Sequence, residues 1–225
     1  WLGSWGEAVE RRRAALRMAD ATDDRYVRVA LQTGVPIIAD LITGTAPAEL
    51  HAAMVDATSS AARAPGAYAR QLVAATMIDR YAGADAAALA RLDAAQPLLD
   101  RTRVLKTDQV RATLLALRAT AAVAVGQHDR ARADARALRT IPEMIGPAAL
   151  IEAALAAIAG GDALTLIDEA VRASEASGLR AYAAAARARR GQLLGGDEGA
   201  SERLTAIDLA ARLGLGDAER AFDLL

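Results

Sequence analysis

The stretch LRAYAAAARARRGQLLGGDEGASERLTAIDLAARLGL, Leu179–Leu215, sets the reading of the whole chain. Two Ala-rich runs flank Gly195-Gly196. Alanine is the best helix former and a poor strand former, so each run reads as a helix, over 179–194 and 198–213. Glycine ends a helix in the left-handed conformation. Asp197 then stands where an N-cap would accept hydrogen bonds from orphan backbone N–H groups. A link this short makes the two helices antiparallel neighbours.

The same junction recurs along the chain. It is carried by LGSWGEAVERRRAAL from Leu2, TGTAPAELHAAM from Thr43, AGADAAALARLDAA from Ala82, VGQHDRARADARAL from Val125 and GGDALTLIDEAV from Gly160. Registering Gly3, Gly44, Gly83, Gly126, Gly161 and Gly196 gives spacings of 41, 39, 43, 35 and 35. The last two lie near the period of about 34 residues seen in tetratricopeptide repeats, the others in the range of looser helix-pair repeats. The pattern predicts helices over 4–19, 24–43, 47–63, 67–82, 85–100, 104–125, 129–140, 147–159, 162–177, 179–194, 198–213 and 217–225. Asp85, Asp162 and Asp197 are the expected N-caps. Gly34 and Pro36 should kink or split the second helix. Pro65-Gly66, Ile141-Pro142 and Gly146-Pro147 should punctuate loops.

Composition agrees with an all-α chain. Sixty of the 225 residues are Ala and aromatics make up 3%. Charge is balanced, with 27 basic residues against 28 acidic, and Lys106 is the one lysine. A nucleic-acid partner would call for a basic excess, so none is expected. The absence of Cys excludes disulfides, Cys metal sites and thiol chemistry. The longest apolar candidates, Leu31–Leu41 and Pro147–Gly160, are shorter than the ~18 residues a membrane span needs. No signal-peptide pattern precedes the first helix, so the expected location is cytoplasmic and the expected partners exclude membranes. A chain opening on Trp1 reads as a piece of a longer protein.

The register resembles the tetratricopeptide repeat. That repeat places a small residue where two helices of a hairpin cross, because only a methyl lets the backbones approach. Ala8, Ala88 and Ala131 fall on this position, Trp5 falls where the pattern favours an aromatic, and Pro142 falls at a repeat end. The repeats near Gly44 and Gly196 are degenerate. A more specific resemblance rests on three segments. They are LGSWGEAVERRRAALRMADATDDRYVRVALQTG from Leu2, IDRYAGADAAALARLDAAQPLLDRTRVLKTDQVRATLLALRA from Ile78, and the Leu179–Leu215 stretch with its GQLLGGDEG run, Gly191–Gly199. Together they resemble the helical tail of large multidomain bacterial serine/threonine kinases of the myxobacterial type, which carry a kinase domain and an ATPase module upstream. The resemblance implies a regulatory or partner-recruiting role. This chain has no phosphate loop, dinucleotide fingerprint or kinase catalytic loop, so catalysis is not expected of it.

Each candidate for chemistry has a plainer reading. His51 and His128 are 77 positions apart, and no zinc-binding spacing joins them. Asp20, Asp23 and Asp24 read as a helix end and the next N-cap, since the alternate ligands and Gly of a calcium loop are missing. Asp168 and Glu169 point about 100° apart on one helix, which separates them as an acid–base pair. Arg132, Arg136 and Arg139 share a face, as do Arg187 and Arg190. They would serve either a partner's carboxylates or phosphates, or the chain's own acids such as Asp134. Val9 and Leu16, with Trp5, are expected to form an exposed apolar face, and Ala183–Ala186 a featureless helix surface.

The expected fold is an all-α, right-handed solenoid of antiparallel helix pairs, tetratricopeptide-like, as one continuous domain over 1–225. The expected function is a non-catalytic protein-interaction module without cofactor or metal, binding a protein or peptide or another part of the parent chain. Tyr26, Arg28, Tyr68, Gln71, Arg111, Arg118, Tyr182 and Arg189 are the expected groove contacts. The alternative is a ligand-sensing helical-repeat domain of a bacterial regulator, holding a small molecule or peptide within its superhelix.

Overall fold

The computed structural model describes residues 5–33, 35–58 and 65–225, and among these every regular element is helical. The helices are α1 (Trp5–Ala21), α2 (Arg25–Leu31), α3 (Val35–Ile42), α4 (Pro47–Thr58), α5 (Pro65–Tyr81) and α6 (Asp85–Arg101). They continue as α7 (Asp108–Ala124), α8 (His128–Leu138), α9 (Ile145–Ile158), α10 (Ala163–Ala176), α11 (Arg180–Leu194), α12 (Gly196–Leu213) and α13 (Ala218–Leu224). Short 3-10 turns at Val104–Lys106 and Pro142–Met144 precede α7 and α9.

Where one continuous domain is expected, the contacts gather into two compact units, and the division falls within α7. The N-terminal unit extends to Leu114. In it α1 packs on α2 and α3, α3 on α5, and α5 on both α4 and α6. The predicted second helix is split into α2 and α3, as Pro36 requires; Gly34 lies outside the described residues. The apolar core is carried by Ile37, Ile38 and Leu41 of α3 with Met77 and Ile78 of α5, all essentially inaccessible. One ion pair is buried with it. Arg12 of α1 is bonded to Asp40 of α3, and its Nε donates to the Leu31 carbonyl at 2.6 Å. Burial lowers the Arg12 pKa against the pull of Asp40.

The C-terminal unit runs from Leu115 to Leu225. Successive helices α8 to α12 pack on one another in chain order. In addition α9 reaches α11 and α11 reaches α13, so the odd-numbered helices lie on the more closely spaced side. Helix α11 has neighbours in α9, α10, α12 and α13. Ala183, Ala184, Ala185 and Ala186 are at most 1% exposed. The expected featureless surface is therefore the inside of the unit, where methyl groups let four helices close on one backbone.

Close approach also explains the GQLLGGDEG run. A Cβ at Gly199 would lie 2.4 Å from the Gly191 carbonyl oxygen, and one at Gly191 would lie 2.6 Å from that of Gly199. The two glycines are where α11 and α12 touch backbone to backbone. Gly146 plays this part between α9 and α10, with its would-be Cβ 2.2 Å from Ser174 Oγ. Gly146-Pro147 thus lies in the first turn of α9, where a missing N–H costs nothing, and not in a loop. Pro65-Gly66 likewise opens α5.

Among the predicted caps, Asp162 accepts from Thr165 N at 3.1 Å. Asp24 and Asp217 cap α2 and α13 in the same way. Asp85 is instead the first residue of α6 and pairs with Arg80 at 2.9 Å. Asp197 is already inside α12, which begins at Gly196. The crossing alanines divide too. Ala88 and Ala131 are fully buried, whereas Ala8 is exposed, because α1 turns Trp5 and Val9 inward. Trp5 and Val9 are 5% and 4% exposed, so they belong to the core of their unit and form no open face; Leu16 is part-exposed.

Candidate functional site

Helix α11 carries Arg187, Ala188, Arg189 and Arg190 in the turn before its last, and this turn gathers dense charge chemistry in the C-terminal unit. At 100° per residue the three arginines leave the helix in different directions. Arg190 donates to Asp168 of α10 at 2.8 Å and lies 3.0 Å from Glu202 of α12. Arg187 donates to Glu175 of α10 at 2.8 Å and to Glu202 at 3.5 Å. Arg189 turns the other way and bonds Asp223 of α13. Donating to Asp168 raises the Arg190 pKa, and donating to Glu175 raises the Arg187 pKa.

Two recesses border this turn. One, of about 500 Å³, is open and lined by Asp168, Val171, Arg172, Arg187, Arg190 and Glu202. The other, of about 140 Å³, lies against Arg189, Ile207, Phe222 and Asp223. The first brings three guanidinium groups to two carboxylates, and the direct bonds above already satisfy most of that charge.

A second polar tie sits one helix pair earlier. Arg139, just after α8, forks onto Glu169 of α10 with two bonds of 2.8 Å and donates to Glu152 of α9 at 2.8 Å. These bonds raise the Arg139 pKa and lower that of Glu169. Asp168 and Glu169, adjacent in sequence, are thus drawn to opposite neighbours, α11 and the end of α8. Arg118 of α7 forks onto buried Asp134 of α8 at 2.7 and 2.6 Å.

The expected groove residues scatter across these roles. Tyr26 on α2 is 76% exposed. Arg28 pairs with Asp20 at 2.8 Å, and Arg111 with Asp108 of its own helix at 2.8 Å. Tyr68 and Gln71 on α5 are part-exposed. Arg118 is committed to Asp134. Tyr182 is buried within the C-terminal unit, and Arg189 holds α13. Arg189 alone of the eight joins the α11 cluster. Of the two arginine faces, Arg187 and Arg190 bind the chain's own carboxylates; Arg132 pairs with Asp129 at 2.6 Å, and Arg136 is exposed.

His51 makes a contact the sequence does not announce. Its Nε2 lies 3.2 Å from Asp79, a nearly buried carboxylate that also accepts from Arg91 Nε at 2.8 Å. His128 starts α8. Among the described residues no group of three His, Asp or Glu converges on a point where a metal ion would sit.

What the sequence reading missed is the set of acids, Asp168, Glu175 and Glu202, that receives the α11 arginines. The signal was present as a spacing. The buried residues of α8 are Ala131, Asp134, Ala135 and Leu138; those of α10 include Ile167, Ala170, Val171 and Ser174. Each member of the second set follows its counterpart by 36 residues.

No family model, no curated protein and no solved structure matches the chain.

Proposed function

We propose that the chain is a non-catalytic interaction module, built as a tetratricopeptide-like, right-handed solenoid and working in the cytoplasm. The observation that carries this reading is the repetition of one helix-on-helix arrangement at a spacing of 36 residues in the C-terminal unit. Stacked hairpins present extended surfaces, and such surfaces receive peptides and partner domains. The electrostatics point the same way. A general acid at neutral pH needs its pKa raised toward 7. Glu169 is shifted down by Arg139, and Asp162 is shifted down by the Thr165 hydroxyl and N–H. Among the described residues no helix is long and apolar enough to cross a membrane.

On the resemblance of its segments from Leu2, Ile78 and Leu179, the module would sit in a multidomain bacterial serine/threonine kinase and recruit partners or restrain the catalytic parts. The test is a peptide-display selection on the purified chain, followed by calorimetry on the selected sequences. Saturable one-to-one binding is expected, with no ATP hydrolysis and no phosphotransfer by the chain alone. Turnover of ATP above background, or failure of every selected peptide to bind, would overturn the reading.

A further inference from the structure

From Arg80 to Arg118 the chain carries seven cations. Four bind its own carboxylates. Arg80 meets Asp85 at 2.9 Å, and Arg91 meets Asp79 at 2.8 Å. Arg111 meets Asp108 at 2.8 Å, and Arg118 meets Asp134 at 2.6 Å. The other three, Arg101, Arg103 and Lys106, stand together in the connector between α6 and α7 and are exposed. Among the described residues none of the three bonds a carboxylate. The acids next to them in sequence are engaged elsewhere. Asp100 accepts from Gln96 at 2.7 Å, and Asp108 holds Arg111.

The connector is held from beneath. Thr102 Oγ1 donates to the Leu99 carbonyl at 2.9 Å, at the end of α6. Lys106 N donates to the Arg103 carbonyl at 3.0 Å, and Thr107 N to that of Val104 at 3.2 Å. Val104 and Leu105 are half-buried, and the 3-10 turn they belong to packs on α5 and α6. Apolar side chains thus anchor the connector, and its cations are left to solvent. Like charges this close repel one another, and no acid of the connector offsets them. Leu98 of α6 is 45% exposed and stands three residues before Arg101, one turn along the same helix face.

We propose that Arg101, Arg103 and Lys106, with Leu98 beside them, bind an acidic segment of a partner protein that carries an apolar residue among its carboxylates. The three cations take the carboxylates in charge-assisted hydrogen bonds, and Leu98 takes the apolar side chain. Charge complementarity selects this occupant. Anionic lipid is held by clusters of about four to eight basic residues, more than the connector offers. A single nucleic-acid strand draws on aromatic stacking, and no aromatic lies between Tyr81 and Tyr182. The proposal rests on the chain being an interaction module and gives that module a contact surface and the chemistry of its ligand.

The probe is a fluorescein-labelled peptide of repeated Glu-Glu-Leu units, titrated into the full chain and followed by anisotropy. Saturable binding is expected, weakening as salt rises. R101Q/R103Q/K106Q should weaken it at least about tenfold, and L98S several-fold. The substituted side chains are exposed, so both variants should keep the parent's circular dichroism and Tm. R25Q/R136Q/R180Q removes three exposed cations from three other helices and should bind the peptide as the parent does. Absence of binding by the parent, binding unchanged by R101Q/R103Q/K106Q or by L98S, or an equal loss in R25Q/R136Q/R180Q would overturn the proposal. Tighter binding of a single-stranded oligonucleotide or of phosphatidylserine vesicles than of the peptide would overturn it too. If display-selected peptides bind and R101Q/R103Q/K106Q leaves them untouched, the surface is wrong and the module reading stands.

Discussion

The two units hold their helices together by opposite use of charge. In the N-terminal unit the Arg12–Asp40 pair is sunk into the core, with both side chains under a tenth exposed. In the C-terminal unit the ties from Arg139, Arg187 and Arg190 lie along the surface, with roughly a quarter to a third of each arginine exposed. The difference follows from backbone regularity. Where hairpins repeat, small residues close the helix crossings and these three arginines pin the edges, with Arg118 reaching the buried Asp134 beside them. Where α2 and α3 are broken apart, the Leu31 carbonyl at the end of α2 needs a donor, and Arg12 supplies it from inside the core. A buried ion pair is costly to break and adds little when intact; a surface pair is cheap either way.

The sharpest way to break this comparison is to remove one acid from each unit. Asp40→Ala leaves the Arg12 guanidinium buried without its counter-charge and should cost about 3–5 kcal/mol in urea denaturation. Glu175→Ala should cost at most about 1 kcal/mol by the same measurement. Equal losses would erase the distinction between the units.

The next effect tests steric closure. Gly199→Val drives a side chain into the Gly191 carbonyl and should lose about 1–3 kcal/mol. Gly6→Ala, on α1 where no atom lies within 4 Å of the new Cβ, should gain up to about 1 kcal/mol from helix propensity. A neutral Gly199→Val would mean that α11 and α12 are free to separate at their crossing.

Smaller still is capping. Asp162→Ala should lower the melting temperature through the lost bond to Thr165 N. Asp197→Ala, inside α12, should lower it less, by weakening the favourable charge at the helix start. Thermal melts of the two variants rank them.

The smallest effect is in pH. Glu169 has a folded pKa below its unfolded value, so its stabilisation is present above the unfolded carboxyl pKa and disappears as pH falls through the folded one. Glu169→Gln should therefore be slightly less stable than the parent at pH 7, by under about 1 kcal/mol, and indistinguishable from it at a pH below both values. A difference that persists in acid would show that Glu169 acts by packing and not by charge.

Helix identity was legible because alanine propensity and glycine junctions agree at nearly every boundary. The split of α2 from α3 was legible through Pro36. The two-unit division was not, because contacts between distant segments leave no local pattern. Ala8 was misplaced for a related reason. A small residue at the right distance from a glycine is necessary for a crossing, but the helix phase also decides, and Trp5 and Val9 set that phase on α1. The arginines of α11 read in sequence as serving either a partner or the chain's own acids, since sequence alone does not show which acids of the neighbouring helices reach them.

The central claim is that the C-terminal unit closes its hairpins through small residues at backbone crossings and pins them with surface arginines. The most direct test is native-state hydrogen exchange on Gly199→Val and Glu175→Ala. Gly199→Val should speed amide exchange along α11 and α12, while Glu175→Ala should leave it at the parent's rate. Equal acceleration in the two variants would contradict the account.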